Sequence, residues 1–94
     1  MAEDGRSAVS SVYTLLDRKL REFGQLVLAR NEPTVRRLLV DSVVGSGSML
    51  EKHPGDFDLY HVGEFNAETG RLSVNDPLLL ANLLDILQEE SNGD

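Results

Sequence analysis

The side chains best suited to chemistry in this sequence fall into two groups. The first is His53, Asp56, Asp58, His61 and Glu64. Two imidazoles and a carboxylate are a donor set for a divalent ion with one open position. A strand from Phe57 to Phe65, however, puts His61 on one face with Phe57, Leu59, Gly63 and Phe65, and turns Asp58, Tyr60, Val62 and Glu64 to the other. The ligands diverge, so no metal site and no cofactor are expected, and His61 reads as a partly buried structural residue. The second group is Arg18, Lys19, Arg21, Arg30, Arg36 and Arg37, with only Glu22 and Glu32 interspersed, together with Tyr13 and Tyr60. Guanidinium and ammonium groups pair phosphates while aromatic faces stack bases, a combination suited to single-stranded nucleic acid. The residues expected to make such contacts are Arg18, Lys19, Arg21, Arg30, Arg36, Arg37 and Tyr60. Solvated side chains balanced by acids elsewhere are the alternative reading of the same charges.

Other chemistries lack their parts. Gly45-Ser46-Gly47 follows a helical segment and precedes no Lys, whereas a phosphate loop needs a strand before it and Gly-Lys-Ser/Thr after it. No Gly-x-Ser-x-Gly stands between a strand and a helix. There is no Cys, which removes a disulfide framework, a thiolate zinc site and a Cys nucleophile. The expectation is a protein that is not an enzyme.

Ninety-four residues suit one domain, with the core expected over 8–88 and flexible ends at 1–7 and 89–94. The net charge of −7 argues against a uniformly basic coat, but the charge is unevenly spread. Residues 1–37 hold seven Lys/Arg against five Asp/Glu, a balance of +2, and residues 38–94 hold two against eleven, a balance of −9. Such polarity can steer an anion to one face. The acidic first residues form no secretory signal, and the longest apolar run, Pro77 to Leu87, is interrupted by Asn82 and Asp85, so no membrane association is expected.

The elements that must position these groups follow from periodicity. Ala8 to Asp17 fits a helical stripe through Val9, Val12, Tyr13, Leu16 and Leu20, yet Val12-Tyr13-Thr14 prefers a strand, and strand is the reading adopted. Gln25 to Arg30 reads as a second strand. Asn31 caps a helix with Glu32 and Pro33 in its first turn, and Val35, Leu38, Leu39 and Val43 form its apolar stripe, with Arg37 placed to pair Asp41. Gly45-Ser46-Gly47-Ser48 ends that helix, and His53-Pro54-Gly55 makes a turn. The strand from Phe57 enters a hairpin whose loop, Asn66 to Gly70, needs Gly70 in the left-handed region, and Arg71 to Val74 returns. Asp76-Pro77 predicts the start of a last helix. Leu79, Leu80, Leu83, Ile86 and Leu87 form its stripe, and Leu78 and Leu84 widen it beyond what a small sheet requires, leaving open whether the surplus is core or an oligomer interface of Leu79, Leu80, Leu83, Leu84 and Leu87. The fold class is α+β: a small, mainly antiparallel sheet with a C-proximal hairpin, one central amphipathic helix and a short leucine-rich C-terminal helix.

The hairpin region, His53-Pro54-Gly55-Asp56-Phe57-Asp58-Leu59-Tyr60-His61-Val62-Gly63-Glu64-Phe65-Asn66-Ala67-Glu68-Thr69-Gly70, resembles the small nonstructural, protein C-like proteins of single-stranded-DNA microviruses, in particular the gokushovirus branch. Tyr13 to Lys19, Phe23-Gly24, Ala29-Arg30-Asn31 and Val35 to Leu38 extend the resemblance across most of the chain. Gln25-Leu26 departs from it, where relatives carry a pair of prolines. The resemblance implies a DNA-associated bacteriophage protein of the host bacterial cytoplasm, acting in viral genome synthesis or packaging, with single-stranded DNA as its partner. An oligomeric adaptor that recruits replication or procapsid proteins without touching DNA is the alternative.

Overall fold

The computed structural model describes residues 8–92; of the flexible ends expected at 1–7 and 89–94, residues 1–7 and 93–94 lie outside the described residues, while 89–92 continue the last helix. The elements are β1 (Val9–Asp17), β2 (Glu22–Phe23), β3 (Val27–Ala29), α1 (Glu32–Val43), α2 (Met49–Lys52), β4 (Phe57–Asn66), β5 (Leu72–Asn82) and α3 (Leu83–Asn92), with a 3-10 turn at Pro54–Asp56. The fold is α+β on an antiparallel sheet ordered β2-β1-β4-β5, in which β3 also pairs with β1.

The ambiguous first segment is a strand because β4 pairs along all of it, Val9 opposite Asn66 and Asp17 opposite Phe57, with one irregularity between Val12 and Tyr13. Its β-branched and aromatic run suits a pleated, half-buried surface. Directly opposed residues of an antiparallel pair share a face. Tyr13 opposite His61 and Leu15 opposite Leu59 therefore define one face, and the core cluster of Tyr13, Ala29, Val35, Leu39, Phe57, Leu59, Leu83 and Ile86 lies against it. Both long helices thus cover the same side of the sheet. Tyr13 and His61 meet edge to face, ring centroids 5.5 Å apart.

Helix α1 begins as its cap dictates. The side chain of Asn31 accepts from the Thr34 backbone N–H at 3.0 Å, and Pro33 occupies the first turn, where its missing N–H is no loss. Val35, Leu39 and Val43 are buried, but Leu38 stays exposed. With Val35, Leu39, Leu50 and Leu59 it lines a cavity of about 430 Å³ between α1 and the sheet. Arg37 does not pair with Asp41. Arg36 is the engaged arginine, bridging Glu32 on its own helix and Glu89 on α3, each at 2.8 Å. Partial burial opposes its charge, and the bonds to Glu32 and Glu89 more than offset this, holding its pKa above the ordinary arginine value.

The Gly45–Ser48 turn is held from below by a short helix, α2, that periodicity gave no sign of. Glu51 accepts from the backbone N–H of Gly45 at 2.6 Å and of Gly47 at 2.7 Å, and both glycines have positive φ. Those two bonds lower the Glu51 pKa. A carboxylate with a lowered folded pKa contributes to the fold above the ordinary glutamate range and loses that contribution as acid brings the pH through the folded value. In an NMR acid titration the Gly45 and Gly47 amides should shift together below the ordinary glutamate range, and Glu51→Gln should abolish that step. Amides that stay still in the native chain would contradict the contact.

The C-terminal third differs most from expectation. Asp76-Pro77 does not start a helix: β5 runs on to Asn82, and α3 starts six residues later than expected. Opposite Val62 of β4, β5 carries Asn75, Asp76 and Pro77, since Val74 faces Gly63 and Leu78 faces His61. Proline has no N–H for a ladder and is tolerated at a bulge on an edge strand. The Asn75 side-chain amide donates to the His61 carbonyl at 3.2 Å, supplying a bond across this bulge. Asn82 ends the strand. Its Oδ1 accepts from the Leu84 N–H, and its amide donates to Gly55 O, Phe57 O and Asp58 Oδ1.

Candidate functional site

The two faces of the sheet are unlike. On the side away from the helices, the register places Thr14, Tyr60 and Leu79 in one row and Phe23, Leu16, Asp58 and Asn82 in the next. The rings of Phe23 and Tyr60 meet edge to face here, with centroids 5.2 Å apart and planes at 83°. Phe23 is 48% exposed. It is held by its neighbour: the Gly24 N–H donates to Leu15 O at 2.9 Å, and the buried Thr14 hydroxyl donates to Gly24 O at 3.1 Å. Sequence reasoning missed Phe23. An aromatic residue two places after Arg21, in a strand too short to show periodicity, was the only available signal.

Beside this ring pair lies the β1–β2 turn, Arg18-Lys19-Leu20-Arg21. Asp17 shapes it, with Oδ1 accepting from the N–H groups of Lys19 at 2.9 Å and Leu20 at 3.1 Å. Arg21 closes it at φ 62°, a left-handed conformation that costs a residue with a Cβ about 1–2 kcal/mol. Lys19 and Arg21 are exposed and form no ion pair among the described residues. Arg18 is committed elsewhere. Its Nε pairs with Asp58 at 3.0 Å, and its Nη2 donates to Gly55 O. That pair also removes Asp58 as a free negative charge on the aromatic face.

The chain belongs to the Phage ORF5 protein family. The family's sequence profile matches residues 10–86, from the second residue of β1 through all the other strands and into α3. This makes it a bacteriophage protein. No curated protein and no solved structure matches it.

The six basic positions do not form one patch. Arg18, Lys19 and Arg21 share the β1–β2 turn, but Arg30 follows β3, whose Ala29 faces Ser11 near the opposite end of β1. The strand from Ser11 to Asp17 separates those levels by roughly 20 Å. Arg36 is occupied by two carboxylates, and Arg37 is exposed on α1. The leucines are likewise divided. Leu79 and Leu80 belong to β5, Leu83 is fully buried, Leu87 packs partly against the core, and Leu84 is exposed. They are not one helical stripe, because the helix starts only at Leu83. Among the described residues no group of three or more His, Asp or Glu is placed to hold a metal ion, and no helix is long and apolar enough to cross a membrane.

Proposed function

We propose that this chain is a non-enzymatic bacteriophage accessory protein that binds single-stranded DNA during viral genome synthesis or packaging in the host bacterial cytoplasm. The resemblance of its hairpin residues supports placing it with the nonstructural proteins of the microviruses, in the gokushovirus branch. The observation that carries the binding reading is the Phe23–Tyr60 ring pair, in which Phe23 is exposed and Tyr60 part-buried, beside the Lys19–Arg21 turn. Accessible aromatic faces stack bases of any sequence, and unpaired cations next to them hold the backbone. Lys19 and Arg21 supply phosphate contacts, Arg18 orders the turn through Asp58, and Phe23 with Tyr60 forms the stacking surface. Arg36 sits outside this surface and serves the α1–α3 contact.

Fluorescence anisotropy with labelled single- and double-stranded oligonucleotides at low salt tests the reading. Phe23→Ala should weaken single-strand binding by about 1–3 kcal/mol, roughly five- to more than a hundredfold. Replacing Lys19 and Arg21 together should flatten the slope of log affinity against log salt by roughly 1.4, about 0.7 for each phosphate no longer neutralised. Arg36→Ala should leave that slope unchanged. An unmodified protein that binds no single strand at low salt would end the proposal.

A further inference from the structure

The outer edge of the sheet is the long, bare strand β5. It has no neighbour beyond it among the described residues, and eleven residues make it roughly 36 Å long. Native edges are usually short, charged or covered, because an open row of N–H and C=O groups templates another strand. This edge has one charged guard, the Asn75–Pro77 bulge with Asp76, and one smaller irregularity at Leu80, which has no partner between the Leu59–Ala81 and Tyr60–Leu79 pairs. Past the charged bulge, Leu78-Leu79-Leu80-Ala81-Asn82 carries no charge, and Leu78 and Leu79 are 57% and 55% exposed.

We propose that Leu78–Asn82 pairs antiparallel with the same segment of a second copy, joining two sheets about a two-fold axis. Three observations select a second copy as the occupant. An antiparallel strand pair is self-complementary under a two-fold, so one neutral segment serves both partners. The axis within Leu78–Asn82 keeps the two Asp76 carboxylates apart, whereas an axis at the bulge would bring them together. A foreign strand carrying basic residues would find no carboxylate in this segment to recognise. The area sets the strength: a five-residue pairing is about 17 Å long and covers well under the roughly 800 Å² per partner of a stable interface. The dimer is therefore reversible and concentration-dependent. Leu79 lies in the row of Tyr60, so the joined sheet would set two Phe23–Tyr60 surfaces on one continuous face. The pairing itself does not depend on DNA binding.

Salt separates the two. Copies of a chain with net charge −7 repel, so screening should strengthen the dimer, while the same salt weakens any phosphate contact. Sedimentation velocity from about 10 µM to 1 mM protein, at about 0.05 and 0.5 M salt, should show a monomer–dimer equilibrium that tightens at high salt. Leu78→Glu should weaken it by about tenfold or more, because it sets a charged side chain at each end of a five-residue pairing that otherwise carries none, and Leu72→Glu, on the far side of the bulge, should leave it unchanged. Hydrogen exchange of the unmodified protein should show amide protection in 78–82 rising with concentration, a readout that stands if the variant misfolds. A monomer throughout that range, or a dimer without concentration-dependent protection in 78–82, would overturn the proposal.

Discussion

Leu83→Ala should lower the stability of the protein by about 2–5 kcal/mol, the range for truncating a fully buried leucine, while Leu79→Ala should change it by less than about 0.5 kcal/mol. Both residues lie in one leucine-rich run, and as one helix they would share an apolar stripe. The structure separates them. Leu83 is 0% exposed, the first residue of α3, and packed in the cluster with Leu59, Phe57 and Ile86; Leu79 is 55% exposed on β5. Truncation at Leu83 removes transfer energy and leaves a cavity under the sheet, where β4 and α1 cannot both close in. For a domain of this size each kcal/mol moves the midpoint by about 4–8 °C, so thermal unfolding followed by circular dichroism should show a drop of roughly 8–40 °C for Leu83→Ala. Equal effects of the two changes would restore the single helical stripe and remove the long β5.

What the sequence disclosed followed from how local the decisive interactions are. Asn31, Pro33 and the Val35–Leu39–Val43 spacing define the twelve-residue α1 and its cap locally, so cap and stripe were readable at once. The hairpin loop was equally legible, and Gly70 takes the left-handed φ of 75° its turn requires. Asp76-Pro77 misled for the same reason. Its local signal is that of a helix start, but β4 presents a strand edge that only this segment can pair, and the gain from pairing and from burying Ala81 and Leu80 outweighs helix propensity. The candidate site was half legible. Charge alone grouped six basic residues that the antiparallel return of β3 separates, and no spacing rule pairs Phe23 with Tyr60, thirty-seven positions apart. Their contact exists only because β1 lies between β2 and β4.

Gly63→Ala should be among the most damaging conservative changes in the chain, although Gly63 does not need a glycine's backbone freedom. Its φ is not positive; the constraint is space. A Cβ at this position would lie 2.3 Å from the Ser73 carbonyl oxygen and 3.3 Å from both the Ser73 carbonyl carbon and the Val74 Cα. These are backbone atoms of the paired strand, so no rotamer relieves the clash and β5 must move away from β4. The position is crowded because β4 is irregular on both sides there, against β1 between Val12 and Tyr13 and against β5 between His61 and Gly63. Overpacking of this kind costs about 1–3 kcal/mol or more, and its effect should concentrate on the Leu72–Val74 end of β5, whose amides should exchange faster than those of Leu59 or Tyr13. Gly47→Ala is the informative contrast. Nothing lies within 4 Å of its added methyl, but its φ of 70° is unfavourable to any Cβ, so it should cost only about 1–2 kcal/mol and leave β5 exchange unchanged. A Gly63→Ala protein with native exchange at Leu72–Val74 would mean that the two strands do not approach as closely as the register requires, and the bulge that accommodates Pro77 would need another origin.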